Sequence, residues 1–136
     1  KGFPVASHTG RNVLLFAAGS GIAPIRAVIQ HVIAHRASYG RVRLYYGHRR
    51  QEDFAYAREF PAWMAGQVDV VQVLSGAEDG WSGQRGHVHQ VLAREPPDHL
   101  ATPTVAYVCG MKPMTASVIE ALGLLGLARE HVFMNF

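Results

Sequence analysis

Four short stretches of this chain carry residue types suited to handling a phosphorylated ligand. The first, Gly19-Ser20-Gly21-Ile22-Ala23-Pro24, follows the apolar run Val13-Leu14-Leu15-Phe16-Ala17-Ala18 and opens a long apolar-periodic segment. A strand, a glycine turn and a helix start, in that order, make a phosphate cradle. The glycines remove side chains that would hold a diphosphate away from the backbone N–H groups, and the helix presents its positive dipole end. Pro24 suits the first helical turn, where its missing N–H is one the helix does not use. The turn is not the ordinary dinucleotide fingerprint, because Pro24 takes the third glycine position of G-x-G-x-x-G. The other stretches are Gly47-His48-Arg49, Ser75-Gly76 and Cys109-Gly110-Met111, and each directly follows a β-like run.

The elements that must position these stretches alternate short β-branched or apolar runs with longer amphipathic ones, the pattern of a parallel sheet with crossover helices. Five strands are predicted: Val13–Ala18, Arg41–Tyr46, Val68–Leu74, Thr104–Cys109 and His131–Met134. Helices are predicted over Ala23–Ala37, Gln51–Met64, His87–Arg94 and Lys112–Leu125, with Gly76–Gly86 as a loop. Right-handed crossovers then give an α/β, doubly wound parallel sheet in the strand order 3-2-1-4-5, with helices on both faces. A ligand belongs beyond the carboxyl ends of such strands, near the switch between the first and the fourth. All four stretches fall at those ends and face one crevice.

Length and composition fit this reading. A chain of 136 residues with 49% hydrophobic and 17% charged residues is one domain with a single well-buried core. The net charge of +3 is dispersed rather than gathered into a basic stripe, which argues against nucleic acid as a partner and suits an anionic ligand. One cysteine excludes an internal disulfide and any multi-cysteine metal site. No apolar run approaches the roughly 20 residues of a membrane span. The start lacks both an initiator methionine and the apolar core of a signal peptide, which suggests a piece of a longer, soluble chain.

The eight histidines show no metal-binding pattern. His31 and His35 are four apart, a spacing that permits a shared metal, but a solvated helix face explains them as well; no metal is expected. Ser20 lacks the G-x-S-x-G context of a nucleophile, and the glycine turn lacks the Gly-Lys-Ser/Thr ending that nucleotide hydrolases use on phosphate and Mg²⁺.

The chain resembles the pyridine-nucleotide-binding domain of the ferredoxin–NADP⁺ reductase superfamily, the flavin-dependent reductases, over nearly its whole length. The pieces that carry the likeness are Gly19 to Pro24; Leu44-Tyr45-Tyr46-Gly47-His48-Arg49 with Asp53 and Tyr56; Ser75 with Trp81-Ser82-Gly83-Gln84-Arg85-Gly86-His87-Val88; and Tyr107-Val108-Cys109-Gly110-Met111-Lys112-Pro113-Met114. The resemblance implies an oxidoreductase module over residues 1–136. It would bind NADH or NADPH and bring the nicotinamide against FAD or FMN held by a neighbouring domain or chain, with a redox carrier protein as a further partner. The module alone would be inactive, and its compartment cytoplasm or organelle stroma. Removal of the flavin domain would leave an apolar face prone to self-association.

By the same resemblance, Gly19, Ser20, Gly21, Ile22, Ala23 and Pro24 form the diphosphate turn, and Gly47, Arg49, Ser75 and Gly76 lie toward the adenosine. Cys109 and Gly110 orient the nicotinamide, and Met111 and Pro113 fit the family's turn into the fourth helix; Cys109 is the residue placed at the hydride-transfer centre, by position rather than as a nucleophile. NADP-using relatives commonly follow the serine with an arginine, where this chain has Gly76, with Glu78 and Asp79 close behind, so NADH is the expected preference. Trp81 either covers the adenine or only packs its loop, and Phe136 resembles a terminal aromatic that shields the flavin. The alternative is a non-enzymatic module that uses the same fold to bind a nucleotide or a partner.

Overall fold

The computed structural model describes residues 2–98, 100 and 103–135; the expectation for Phe136 lies outside them. The chain forms β1 (Asn12–Ala18), α1 (Ile22–Ala34), β2 (Val42–His48), α2 (Phe60–Ala65), β3 (Val68–Leu74), β4 (Gln84–Arg85), α3 (Val88–Arg94), β5 (Thr104–Cys109), α4 (Lys112–Leu124) and β6 (Val132–Met134). The strands build a parallel sheet in the order β4-β3-β2-β1-β5-β6. The five expected strands are there in the expected order. The correction is a sixth: Gln84–Arg85 inside the predicted loop pairs with Val73 and Leu74 of β3. A two-residue strand leaves no alternation to read.

Near-continuous apolar runs in β1 and β5 follow from burial on both faces. On one face, Leu15, Ala17, Tyr46 and Tyr107 pack with Ile25, Ile29 and Val32 of α1 and with Phe60 and Trp63 of α2. On the other, Leu14, Phe16, Tyr45 and Val108 pack with Val91 and Leu92 of α3 and Val118 and Leu122 of α4. The chain runs outward from β1 through β2 to β4, then returns to place β5 on the other side of β1. That reversal is the switch point.

The predicted helix Gln51–Met64 is also corrected. It is broken into a 3-10 turn at Gln51–Asp53, another at Ala57–Glu59, and the short α2. Phe54 leaves the helical path to bury its ring edge-on against Tyr46, centroids 4.8 Å apart, and the Ala55 N–H donates to the Tyr46 hydroxyl at 3.0 Å. Tyr56 then takes a left-handed conformation (φ 64°). Pro61, which has no N–H to give a preceding turn, fixes the start of α2. Helix α1 ends at Ala34 rather than Ala37, followed by a 3-10 turn over Arg36–Ser38.

Candidate functional site

At the switch point, β1 passes through a 3-10 turn, Gly19–Gly21, directly into α1. Gly19 needs its glycine for conformation, with φ +57° and open space where a side chain would stand. Gly21 needs it for contact. A Cβ there would drive into the backbone carbonyl of Cys109 and come within 3.0 Å of the Gly110 nitrogen. Two stretches 88 positions apart by sequence number (109 − 21) are thereby pressed together at the ends of adjacent strands. No side chain caps α1 and no acid lies in its first turn, so the positive end is not neutralised from within the helix.

A cavity of about 520 Å³ opens over these strand ends. Ala18 and Gly19 reach it from β1, Gly47, His48 and Arg49 from β2, Ser75 from β3, and Gly86 and His87 from the end of β4. Val88 and His89 of α3 and Pro113, Met114 and Ser117 of α4 complete the wall. The Ser75 N–H donates to the His48 carbonyl at 3.0 Å and the Gly76 N–H to the Arg49 carbonyl at 2.9 Å, which extends the β2–β3 pairing to the rim. The Gly86 N–H donates to the Leu74 carbonyl at 2.9 Å and ties the β4 end to the same rim.

The charges of this wall are one-sided. Among the described residues lining the cavity there is an arginine and three histidines but no carboxylate. Burial holds the His48 imidazole below its ordinary range, with Asp53 partly offsetting it, and its ring lies 5.5 Å edge-on from Phe54. The His87 and His89 rings are near-parallel, planes 10° apart and centroids 6.1 Å apart. Glu78 and Asp79 line a separate cavity of about 220 Å³, with Arg50, Gly76 and Trp81.

Of the residues expected from sequence, Gly19, Gly47, Arg49, Ser75 and Pro113 line the main cavity, and Gly76 lines the neighbouring one. Ser20 is exposed on the turn. Ile22 is buried in the core and offers a ligand only its backbone. Ala23 is exposed, while Pro24 lines a different groove with Phe3 and Val5. Cys109 is half-buried against the α1-side core, and burial pushes its thiol up, so it is a neutral side chain rather than a thiolate. Gly110 abuts Met114: a Cβ there would lie 2.9 Å from the Met114 sulfur. Met111 is exposed at the start of α4.

Trp81 donates from its indole to the Gln84 carbonyl at 2.9 Å, and Arg85 donates to the Glu78 and Trp81 carbonyls, so both serve to hold the β3–β4 loop. Sequence reasoning brought His48 to the crevice within Gly47-His48-Arg49 but assigned no role in the wall to His87, His89, Met114 or Ser117. Their signal was helical and strand-end position: Pro113 and Ser117 are four apart on α4 and so share a face. Among the described residues no group of three or more His, Cys, Asp or Glu side chains could hold a metal ion. Among the described residues no helix is long and apolar enough to cross a membrane.

The sequence matches the family described as "oxidoreductase NAD-binding domain" over residues 15–120. It is 31% identical over 140 residues to the gamma chain of sulfhydrogenase 1 of Pyrococcus furiosus, covering 98% of this chain and 46% of that one. It is 26% identical over 136 residues to a component of the Na(+)-translocating NADH-quinone reductase of Methylococcus capsulatus, covering 96% and 33%. The chain thus spans less than half the length of these relatives. Among solved structures, a ferredoxin NADP+ reductase from Neisseria gonorrhoeae with bound FAD and NADP has the same fold, with a TM-score of 0.80 at 19% identity over 98% of this chain and 58% of that one. The chain therefore belongs to the oxidoreductase NAD-binding domain family.

Proposed function

We propose that this chain binds NADH or NADPH across the strand-end crevice and presents the nicotinamide to a flavin, FAD or FMN, on a neighbouring domain or chain. The observation that carries the reading is convergence. The ends of β1, β2, β3 and β4 and the start of α4 form one cavity at the switch point, and Gly21 clamps the end of β5 beside it.

The residues present fit such a ligand. The turn Ser20–Gly21 and the uncapped start of α1 offer backbone N–H groups to the diphosphate, and Gly19 leaves the approach clear. Arg49 and Ser75 lie toward the adenosine end, on the β2–β3 side of the cavity. Cys109 and Gly110, across the clamp from Gly21, fall to the nicotinamide end, where a small, protonated, polarizable side chain packs beneath a ring without reacting with it. When bound, the reduced nicotinamide supplies the hydride. The protein contributes position, because transfer between two cofactors needs close approach and alignment more than proton chemistry. Electron delivery onward to a redox carrier belongs to the same reading.

Calorimetric titration with NADH tests it. Ser75→Trp fills the cavity from an exposed loop position while keeping the backbone bond to His48. The expected result is binding by the native chain and loss of at least about tenfold in affinity, some 1.4 kcal/mol, in the variant. Equal binding by both would refute the crevice as the nucleotide site.

A further inference from the structure

His8 takes no part in the crevice, yet its Nδ1 stands 2.5 Å from the hydroxyl of Tyr107, a fully buried residue of β5. Burial pushes the Tyr107 phenol far above the usual tyrosine range, so it keeps its proton and donates, and Nδ1 of a neutral imidazole accepts. Aromatic rings flank the pair: Phe133 of β6 lies 4.9 Å from His8, and Phe3 lies 4.9 Å from Tyr107, between ring centroids. His8 closes a 3-10 turn, Val5–His8, so this contact fastens the whole segment 2–10. The other fastenings are few. The Tyr39 hydroxyl donates to the Val5 carbonyl at 3.0 Å, the Gly10 N–H donates to the Ser38 carbonyl at 2.6 Å, and Val5 is buried, whereas Pro4, Ala6, Ser7 and Thr9 are exposed.

A proton on His8 is badly placed here. An imidazolium has no acceptor nitrogen, so the Tyr107 O–H would need another acceptor, and among the described residues Tyr107 has no second hydrogen bond. Burial already holds the His8 imidazole below its ordinary range, and two cationic neighbours add to this, Arg11 ahead of β1 and His131 ahead of β6. No carboxylate pairs with His8 among the described residues: Glu130 reaches His131, at 3.8 Å, and the Arg129 guanidinium is spent on the Val132 carbonyl at 2.6 Å. On the side of α1, the titratable group facing the segment is His31. It lines a groove of about 440 Å³ with Phe3 and Val5 of the segment and Pro24 and Val28 of α1. Pro24 lies in the first turn of α1, directly after the glycine turn, so the segment closes the flank of α1 beside that turn.

We propose that His8 is a pH-operated latch: neutral, it fastens segment 2–10 to Tyr107 and closes the flank of α1; protonated, it releases the segment while the sheet stays folded. The inference does not depend on which ligand the crevice takes. In the released segment the imidazole titrates as a free histidine, near pH 6.5, whereas the latched imidazole resists the proton. The latch is therefore fully closed above about pH 6.5 and weakens as the pH falls below it. At pH 5, about 1.5 units lower, the ratio of released to latched segment rises by at most about thirtyfold.

Amide hydrogen exchange followed by NMR on the ¹⁵N-labelled full chain tests this, in the native protein, His8→Asn and Tyr107→Phe. The Ser7 and Gly10 amides, bonded to the Pro4 and Ser38 carbonyls, report the segment, and the Val13 amide, bonded to the Arg41 carbonyl, reports the sheet. In the native chain the protection of Ser7 and Gly10 should fall at least about fivefold from pH 7.5 to pH 5 and stay at least about tenfold below that of Val13 at both, the mark of a local opening. His8→Asn sets an amide oxygen near the place of Nδ1 and does not titrate, so its segment protection should change by less than about twofold over the same range. Tyr107→Phe removes the donor and should lower segment protection at pH 7.5 at least about fivefold. The imidazole nitrogen signals should show Nδ1 of His8 without a proton at pH 7.5. A proton on Nδ1 at that pH, segment amides that track Val13 one for one, a fall in His8→Asn equal to the native fall, or native protection at pH 7.5 in Tyr107→Phe would each overturn the latch.

Discussion

Substituting Gly21 by Ala puts the contact between the two key strand ends to a direct test. The added Cβ would lie 2.5 Å from the Cys109 carbonyl carbon and 3.0 Å from the Gly110 nitrogen. These are backbone atoms at the end of a strand whose Cys109 is paired in register with Ala17 of β1, so they do not swing aside as a side-chain tip would. Overpacking costs about 1–3 kcal/mol when side chains yield, and with backbone on the opposing side the upper end, about 3 kcal/mol, applies. At this chain length that corresponds to a fall in Tm of roughly 10 °C. Gly123→Ala is the control: Gly123 lies in α4 with nothing within 4 Å of its added Cβ. There the lower backbone entropy of alanine should stabilise by about 0.5 kcal/mol. Urea unfolding followed by circular dichroism reads both. Gly21→Ala within about 0.5 kcal/mol of the native chain, inside the range of an uneventful surface change, would refute the close approach of α1 to the end of β5.

Three further outcomes follow from other parts of the molecule. Gln67, exposed just after α2 at φ 65°, is a non-glycine in the left-handed region, so Gln67→Gly should stabilise by about 1 kcal/mol in the same urea assay; no change or a loss would mean that the backbone there is unstrained. Burial holds the imidazoles of His8 and His48 below the ordinary histidine range, with Arg11 and His131 adding to the effect at His8. The folded state then binds fewer protons than the unfolded one, so stability is full above about pH 6.5 and falls as the pH drops below it; a urea midpoint that is constant or rises from pH 7.5 to 5.5 would contradict this, and His48→Gln should flatten the slope. Cys109, half-buried with its thiol pushed up, should be alkylated by iodoacetamide at pH 7.5 at least about tenfold more slowly than in urea; equal rates would show an open or activated thiol.

How much was legible in the sequence depended on how local the cause was. Strands β1, β3 and β5 announce themselves as apolar runs bounded by glycine or turn residues, and the strand order follows from the handedness of crossovers. The break of Gln51–Met64 was written partly in Pro61, but its main cause is non-local: Phe54 leaves the helical path to pack on Tyr46, a partner on another strand. The strand, glycine turn and helix start were readable in order, whereas the task of Gly21 was not, because its counterpart, Cys109, is brought close only by the folded sheet. Ser75 and Gly76 were correctly placed at a strand end. That Arg49 lies over Gly76, and that Glu78 and Asp79 line a different cavity from Ser75, depends on the folded path of the chain, which spacing does not encode.

The most direct test of the account is amide chemical-shift mapping of the ¹⁵N-labelled chain with NADH and, separately, with 5′-AMP. NADH should perturb Gly19–Gly21, Gly47–Arg49 and Ser75 together with Cys109 and Gly110, while 5′-AMP should perturb the Arg49, Ser75 and His87 side and leave Cys109 and Gly110 unmoved. Perturbations that bypass these strand ends, or an AMP footprint that reaches Cys109 as strongly as that of NADH, would contradict a nucleotide laid across the crevice with its nicotinamide at the end of β5.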